Sequence, residues 1–167
     1  MSLSEGVEWS LHCAWLLTHA PAGEAVSSRR MAEFYGLPPA YLSKLLKSLV
    51  RAGILDATTG PRGGFRLARP PDDITVLDVM EAVEGRGALF QCTEIRQQGP
   101  VPASAADCRR PCGIAKVMSD ADQAWRARLA ATTIAELASS AGSGSASRAR
   151  DWLTGIPERR RRPLRLS

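Results

Sequence analysis

The chain has 167 residues, a formal net charge of +5 and 44% hydrophobic residues, which suits one folded domain with appendages. No apolar run approaches the roughly 18 residues needed to cross a bilayer, and the N-terminus lacks the basic start and apolar core of a secretory signal. A membrane-spanning helix is therefore excluded and a cytoplasmic protein expected, in which the four cysteines are metal ligands, redox groups or core filler rather than structural disulfides.

In chain order, Leu3–His19 reads as a first helix with Val7, Leu11, Ala14 and Leu17 near one stripe, ended by Pro21–Gly23. Glu8 and His12 lie four apart on it, hence on one face, where a carboxylate and an imidazole can chelate one metal ion. The plainer alternative is a hydrogen bond on a solvated face. Trp9 and Trp15 flank the pair: Trp9 is a candidate signal relay, and Trp15 fits better as core. Cys13 reads as a small core residue and His19 as polar surface.

Ser27–Tyr35 follows as a short helix with Met31 and Phe34 on one side, broken by Gly36-Leu37-Pro38. Pro39–Ala52 then places Leu42, Leu45, Leu46 and Leu49 on one apolar stripe, and Ala40, Ser43, Lys44, Lys47 and Arg51 on the other face. Ile54-Leu55, the Gly60-Pro61-Arg62-Gly63-Gly64 turn and Phe65-Arg66-Leu67 predict a hairpin. The fold class expected is mainly α with a small β-hairpin wing: a winged helix-turn-helix plus a long dimerisation helix. Residues 27–69 carry eight basic and two acidic side chains, a concentration suited to DNA phosphates. Tyr41 and Lys44 are the candidates for base edges. Ser28, Arg29, Lys47 and Arg62 suit phosphates, with the minor groove an alternative for Arg62. Arg66 reads as an exposed strand residue.

After Pro70-Pro71, Val76–Glu84 is a short helix capped by Asp73 or Thr75 and closed by Gly85. Gly87–Asp107 is irregular and carries Cys92. Pro111 opens a long helix, about Cys112–Leu129, whose Ile114, Met118, Ala121 and Trp125 form a short seam of the kind that packs two helices together. A helix of this kind without a partner in so small a chain predicts a homodimer. Thr133–Leu137 adds a final turn. The Ala/Gly/Ser run beyond Ser139 and the Arg159–Arg162 block predict disorder. The resulting organisation is a DNA-binding domain over 1–85, a cysteine-bearing loop over 86–110, a dimerisation helix over 111–139 and a basic tail over 140–167. Cys108 and Cys112 stand three residues apart at the long helix's start, where the positive helix end favours thiolate, and Arg109 and Arg110 push the same way. No GxSxG, phosphate loop or dinucleotide turn is present, so catalysis is not expected.

Three runs, Pro39–Leu42 into Leu49–Ile54, Gly63–Pro70 and Ile74–Val83, resemble the winged-helix iron–sulfur regulators of the IscR and NsrR type across roughly residues 1–139. Val7–Cys13 and Cys92–Arg96 are most similar to that family's redox-sensing members. The resemblance implies a dimer with the cluster near its interface. Its usual ligands are three loop cysteines, matched by Cys92, Cys108 and Cys112, completed by another residue. In some members that residue comes from the partner's first helix, where Glu8 matches.

Here fifteen residues separate Cys92 from Cys108 and three separate Cys108 from Cys112, unlike the short, near-equal gaps common in the family. A 4Fe–4S centre stays open, but coordination arithmetic favours 2Fe–2S, with two protein donors per iron. Cys108 and Cys112 would hold one iron, and Glu8 and His12 of a second copy the other, with Cys92 as substitute. The expected function is a dimeric redox-sensing regulator, repressing from a palindromic operator whose half-sites lie about 34–36 Å apart. Two alternatives keep the DNA-binding reading: zinc held by the same donors, or a Cys108–Cys112 thiol–disulfide switch.

Overall fold

The computed structural model describes residues 3–61 and 63–155. The elements are α1 (Glu5–Leu17), α2 (Ser28–Tyr35), α3 (Pro39–Arg51), β1 (Leu55–Thr58), β2 (Gly64–Leu67), α4 (Val76–Glu84), α5 (Gly113–Ala130), α6 (Ile134–Ser140) and α7 (Ser143–Thr154). Short 3-10 turns occupy Pro71–Asp73, Ile95–Gln97 and Asp107–Arg109. Mainly α with one hairpin is the architecture that the sequence predicts.

Local chemistry sets most of these boundaries. The Ser27 side chain accepts from the Arg30 amide to start α2, and Gly36, at φ 67°, ends it in the left-handed conformation glycine tolerates. Pro39 opens α3, where its missing N–H costs nothing. Of the two caps considered for α4, Thr75 serves, in a reciprocal box with Asp78. Thr133 and Glu136 repeat that device at α6. The core gathers Leu16 from α1, Met31 from α2, Leu42, Leu46 and Leu49 from α3, Ile54, Leu55, Ile74, Val79 and Ile134. The α3 stripe is thus buried as its spacing requires, Leu42, Leu46 and Leu49 completely.

The wing pairs Leu55 with Leu67 through Thr58 with Gly64 in antiparallel register. Val26 adds a bridge to Phe65, through Val26 N–H to Phe65 O and Phe65 N–H to Val26 O, each at 2.9 Å. Only glycine fits at position 64, because a Cβ there would lie 2.5 Å from the Val26 carbonyl. The wing is thereby anchored to the entry of α2.

Three boundaries correct the sequence reading. The first helix runs Glu5–Leu17, shorter than Leu3–His19. Cys112 is the N-cap of α5 and not part of its first turn, its Sγ accepting from the Ala115 amide at 3.4 Å. Residues 140–155 are not a disordered tail, since α7 occupies Ser143–Thr154 and buries Ala149 and Leu153 in the main core. Composition misled here: Ser and Gly are poor helix formers, but tertiary burial of one face compensates. The docking is completed by Arg30, which donates to the Trp152 carbonyl, and by Phe34 and Trp152 with ring centroids 6.0 Å apart. The Arg159–Arg162 block lies outside the described residues. Leu153→Ala is expected to lower stability by about 2–3 kcal/mol, measured by urea unfolding. A disordered segment would show no change.

Candidate functional site

The outer face of α3 is the first part of the site. Tyr41 is 38% exposed, and Lys44 and Lys47 are exposed beside it. Among the described residues neither lysine has an acidic partner, so both ammonium groups are free for an anionic surface. Arg29 differs: its guanidinium sits 3.1 Å from Glu33 one turn along α2, a pair that a phosphate would have to open. Arg66 bridges to Asp56 across the wing at 3.3 Å. Ser28 is half-buried in the first turn of α2. Arg62 lies outside the described residues.

The second part is a cleft of about 530 Å³ between α1, α2, α6 and α7, lined by Glu8, Leu11, His12, Trp15, Phe34 and Arg148 among others. Glu8 and His12 thus share one wall. Trp15 is half-buried against the core, its ring tilted 43° to that of His19 with centroids 4.5 Å apart, and a His19 ring nitrogen meets the Trp15 carbonyl at 3.0 Å. Trp9, His12 and Tyr35 form a triangle, with ring centroids 6.1, 5.8 and 5.7 Å apart. The Tyr35 hydroxyl donates to the His12 carbonyl at 2.6 Å. Burial, and secondarily the neighbouring Cys13, push that hydroxyl's pKa well above the ordinary tyrosine value. Tyr35 ends α2, so the Glu8/His12 wall is tied directly to the helix-turn-helix. Sequence reasoning singled out Trp9 but missed Tyr35, whose place at a helix terminus gave no periodic signal.

The third part is the cysteine-bearing loop. Cys92 is exposed, while Cys108 and Cys112 are half-buried free thiols at the short turn Asp107–Arg109 and the α5 N-cap. The Arg96 guanidinium folds back onto this stretch, donating to the Asp107 and Arg110 carbonyls on either side of Cys108, while the Arg109 and Arg110 side chains are exposed. Arg96 grips both carboxylate oxygens of Glu94, with Nη2 to Oε2 at 2.7 Å, and holds that carboxyl below the usual range. Within a single chain, no three His, Cys, Asp or Glu side chains among the described residues gather into a metal site. Cys13 is fully buried on α1, and burial pushes its thiol up to about 12. Alkylation of folded, metal-free protein at neutral pH should therefore modify Cys92, Cys108 and Cys112 and spare Cys13 until denaturant is added. Mass spectrometry reads the outcome, and fast labelling of Cys13 would contradict its burial.

The α5 helix carries the apolar seam outward. Ile114 is 71% exposed, Val117 65% and Met118 38%, and Trp125 is half-buried. Its far end is fixed to the rest of the chain by Arg126, which bonds Glu81 and the Gly87 carbonyl, each at 2.6 Å.

A capped helix, a glycine turn, a second helix with unpaired lysines and an anchored wing define a winged helix-turn-helix protein of the DNA-binding class. The chain belongs to the Rrf2 family, described as iron-dependent transcriptional regulators, which it matches over residues 3–140. It is 32% identical over 125 residues to YwgB of Bacillus subtilis (strain 168), named an HTH-type transcriptional regulator, covering 75% of this chain and 76% of that one. Against YffB of Lactococcus lactis, also named as such, identity is 33% over 138 residues, covering 83% and 87%. The fold is shared with CymR, the global cysteine regulator of B. subtilis, at TM-score 0.66 and 22% identity over 85% of this chain and 99% of that one. T. potens IscR gives 0.61 and 24%, over 86% and 90%. The protein is thus a transcriptional regulator and not an enzyme. The matched residues end at 140, just before α7.

Proposed function

We propose that the protein is a homodimeric, cytoplasmic repressor that binds a palindromic operator and senses redox state through an iron–sulfur cluster held across its dimer interface. The observation that carries this reading is the division of donors into two pairs on separate elements. Cys108 and Cys112 share one loop, Glu8 and His12 share one wall of the α1 cleft, and no three such donors meet among the described residues of a single chain. Two donors per iron is the requirement of a 2Fe–2S centre, in which imidazole replaces thiolate on one iron in known cases. The residues present fit that group when the pairs come from different chains. A 4Fe–4S centre would draw on Cys92 as well. The exposed Ile114, Val117 and Met118 on α5 supply the apolar surface such a dimer needs to bury.

Bound there, the cluster supplies a one-electron redox couple. The chain's own part is transmission. A displacement of α1 at His12 is felt by Tyr35 through its hydrogen bond to the His12 carbonyl and through the Trp9 and His12 rings. Tyr35 moves with α2, which packs against α3, and a shift in α3 spacing uncouples a dimer from paired half-sites. Base contacts fall to Tyr41 and Lys44, and phosphate contacts to Ser28, Arg29, Lys47 and Arg62.

The deciding experiment is purification without oxygen, with absorbance, iron and labile sulfide measured. DNA retardation is then compared with the cluster oxidised, reduced and removed. Iron, sulfide and a difference between the three states are expected. Identical binding in all three would remove the sensor and leave the regulator. A metal-free switch in which Cys108 and Cys112 form a disulfide has support from their half-buried free thiols and from a solved oxidised form of Staphylococcus aureus CymR, of similar fold. A colourless protein with thiol-dependent DNA binding would favour it, and a colourless protein with tetrahedral zinc would favour the structural metal.

A further inference from the structure

Between Cys92 and Cys108 the chain has no regular structure beyond the turns Ile95–Gln97 and Asp107–Arg109, yet it is organised around one side chain. Arg96 spends its guanidinium on three partners. Nε and Nη2 grip the Glu94 carboxylate, Nη1 donates to the Asp107 carbonyl at 3.4 Å, and Nη2 also donates to the Arg110 carbonyl at 3.2 Å. Its own carbonyl accepts from the Ala103 amide at 2.8 Å. One residue therefore ties positions 94, 103, 107 and 110 together, and the last two carbonyls bracket Cys108.

Glu94 pays for its place with backbone strain. At φ 49° it is the single non-glycine residue with positive φ among the described residues, a conformation kept only where surroundings impose it. The Glu94 and Arg96 side chains are 30% and 28% exposed, well placed to order a loop that lacks an apolar core of its own.

We propose that Arg96 and Glu94 are the positioning pair of the cysteine-bearing loop: the Arg96 fork fixes the backbone on both sides of Cys108 and keeps a permanent positive charge beside that end of the cysteine pair. The proposal rests on the reading of those thiols as cluster ligands. A fixed cation beside the ligands favours the more negative, reduced form of whatever redox centre they hold, so it raises the potential. The planar fork bonds a carboxylate and carbonyls at fixed angles, which an ammonium cannot reproduce. Charge and order are therefore separable by substitution.

Arg96→Met, Arg96→Lys and Glu94→Gln are compared with the unsubstituted full-length protein on three measurements: midpoint potential, rate of cluster loss to a chelator, and tryptic cleavage after Arg109 in metal-free protein. Arg96→Met should lower the potential, speed cluster loss roughly tenfold or more, and speed cleavage after Arg109. Arg96→Lys should hold the potential near its original value while cleavage still accelerates, because charge is kept and the fork is lost. Glu94→Gln should raise the potential while loosening the loop. An unchanged potential in Arg96→Met protein that retains its cluster, or unchanged cleavage after Arg109 in both Arg96 variants, would overturn the proposal. If the unsubstituted protein holds no iron, the proposed function fails, and the tryptic measurement alone decides whether the pair orders the loop.

Discussion

A heterodimer made from one Cys108→Ser/Cys112→Ser chain and one Glu8→Gln/His12→Ala chain is expected to hold one cluster, where either homodimer of those variants holds none. The expectation follows from the proposed division of the donors between two chains. If each site takes its thiols from one chain and its carboxylate and imidazole from the other, the mixed dimer has one complete set and one empty set. If all four donors served the same chain, neither set would be complete. Differently tagged chains, co-expressed and purified through both tags without oxygen, give the answer from iron per dimer and visible absorbance. About half the iron of the unsubstituted dimer supports shared ligation, and none refutes it. The four positions suit the test because Cys108 and Cys112 are half-buried while Glu8 and His12 are exposed, so loss of iron cannot be ascribed to a collapsed core. Far-UV circular dichroism of each variant checks this directly.

The second large effect is expected on the outer face of α3. Lys44→Ala should weaken binding to the cognate operator by about 1–3 kcal/mol and relax sequence preference at the base it reads. Lys47→Ala should instead lower affinity for all sequences alike and reduce the salt dependence by about one unit per contact. Both lysines are exposed and lack acidic partners among the described residues, so removing them releases no buried charge and should leave stability within about 0.5 kcal/mol. Fluorescence anisotropy with cognate and scrambled duplexes, repeated across salt concentrations, separates the two roles. Equal losses on both duplexes for Lys44→Ala would move it among the phosphate contacts. Arg29 offers a contrast, since its pairing with Glu33 at 3.1 Å sets a local competitor against phosphate.

The DNA-binding half was legible because its elements are specified locally. Apolar residues at i, i+3, i+4 and i+7 fix which face of α3 is buried, Gly36 and Pro38 fix the break before it, and alternation around a glycine turn fixes the wing. That Cys108 and Cys112 share one loop and that Glu8 and His12 share one face of α1 was equally readable from spacing, since both pairs are near neighbours in the chain. Family membership follows from the same stretches.

What sequence could not supply was every relation set by distant contacts. The α7 helix forms from a Ser- and Gly-rich segment because Ala149 and Leu153 find a core to enter, a gain invisible to propensity. Tyr35 becomes the tie between the α1 cleft and α2 because of a bond 23 residues back in the chain. Arg96 reaches the backbone on both sides of Cys108 because an irregular loop folds back on itself, and loop conformation carries no periodic signature. Residue spacing determined the helices up to α6, the turn, and the closeness of Cys108 to Cys112 and of Glu8 to His12. Burial and hydrogen bonds between remote segments decided which of those parts touch, because such contacts depend on where the whole chain comes to rest.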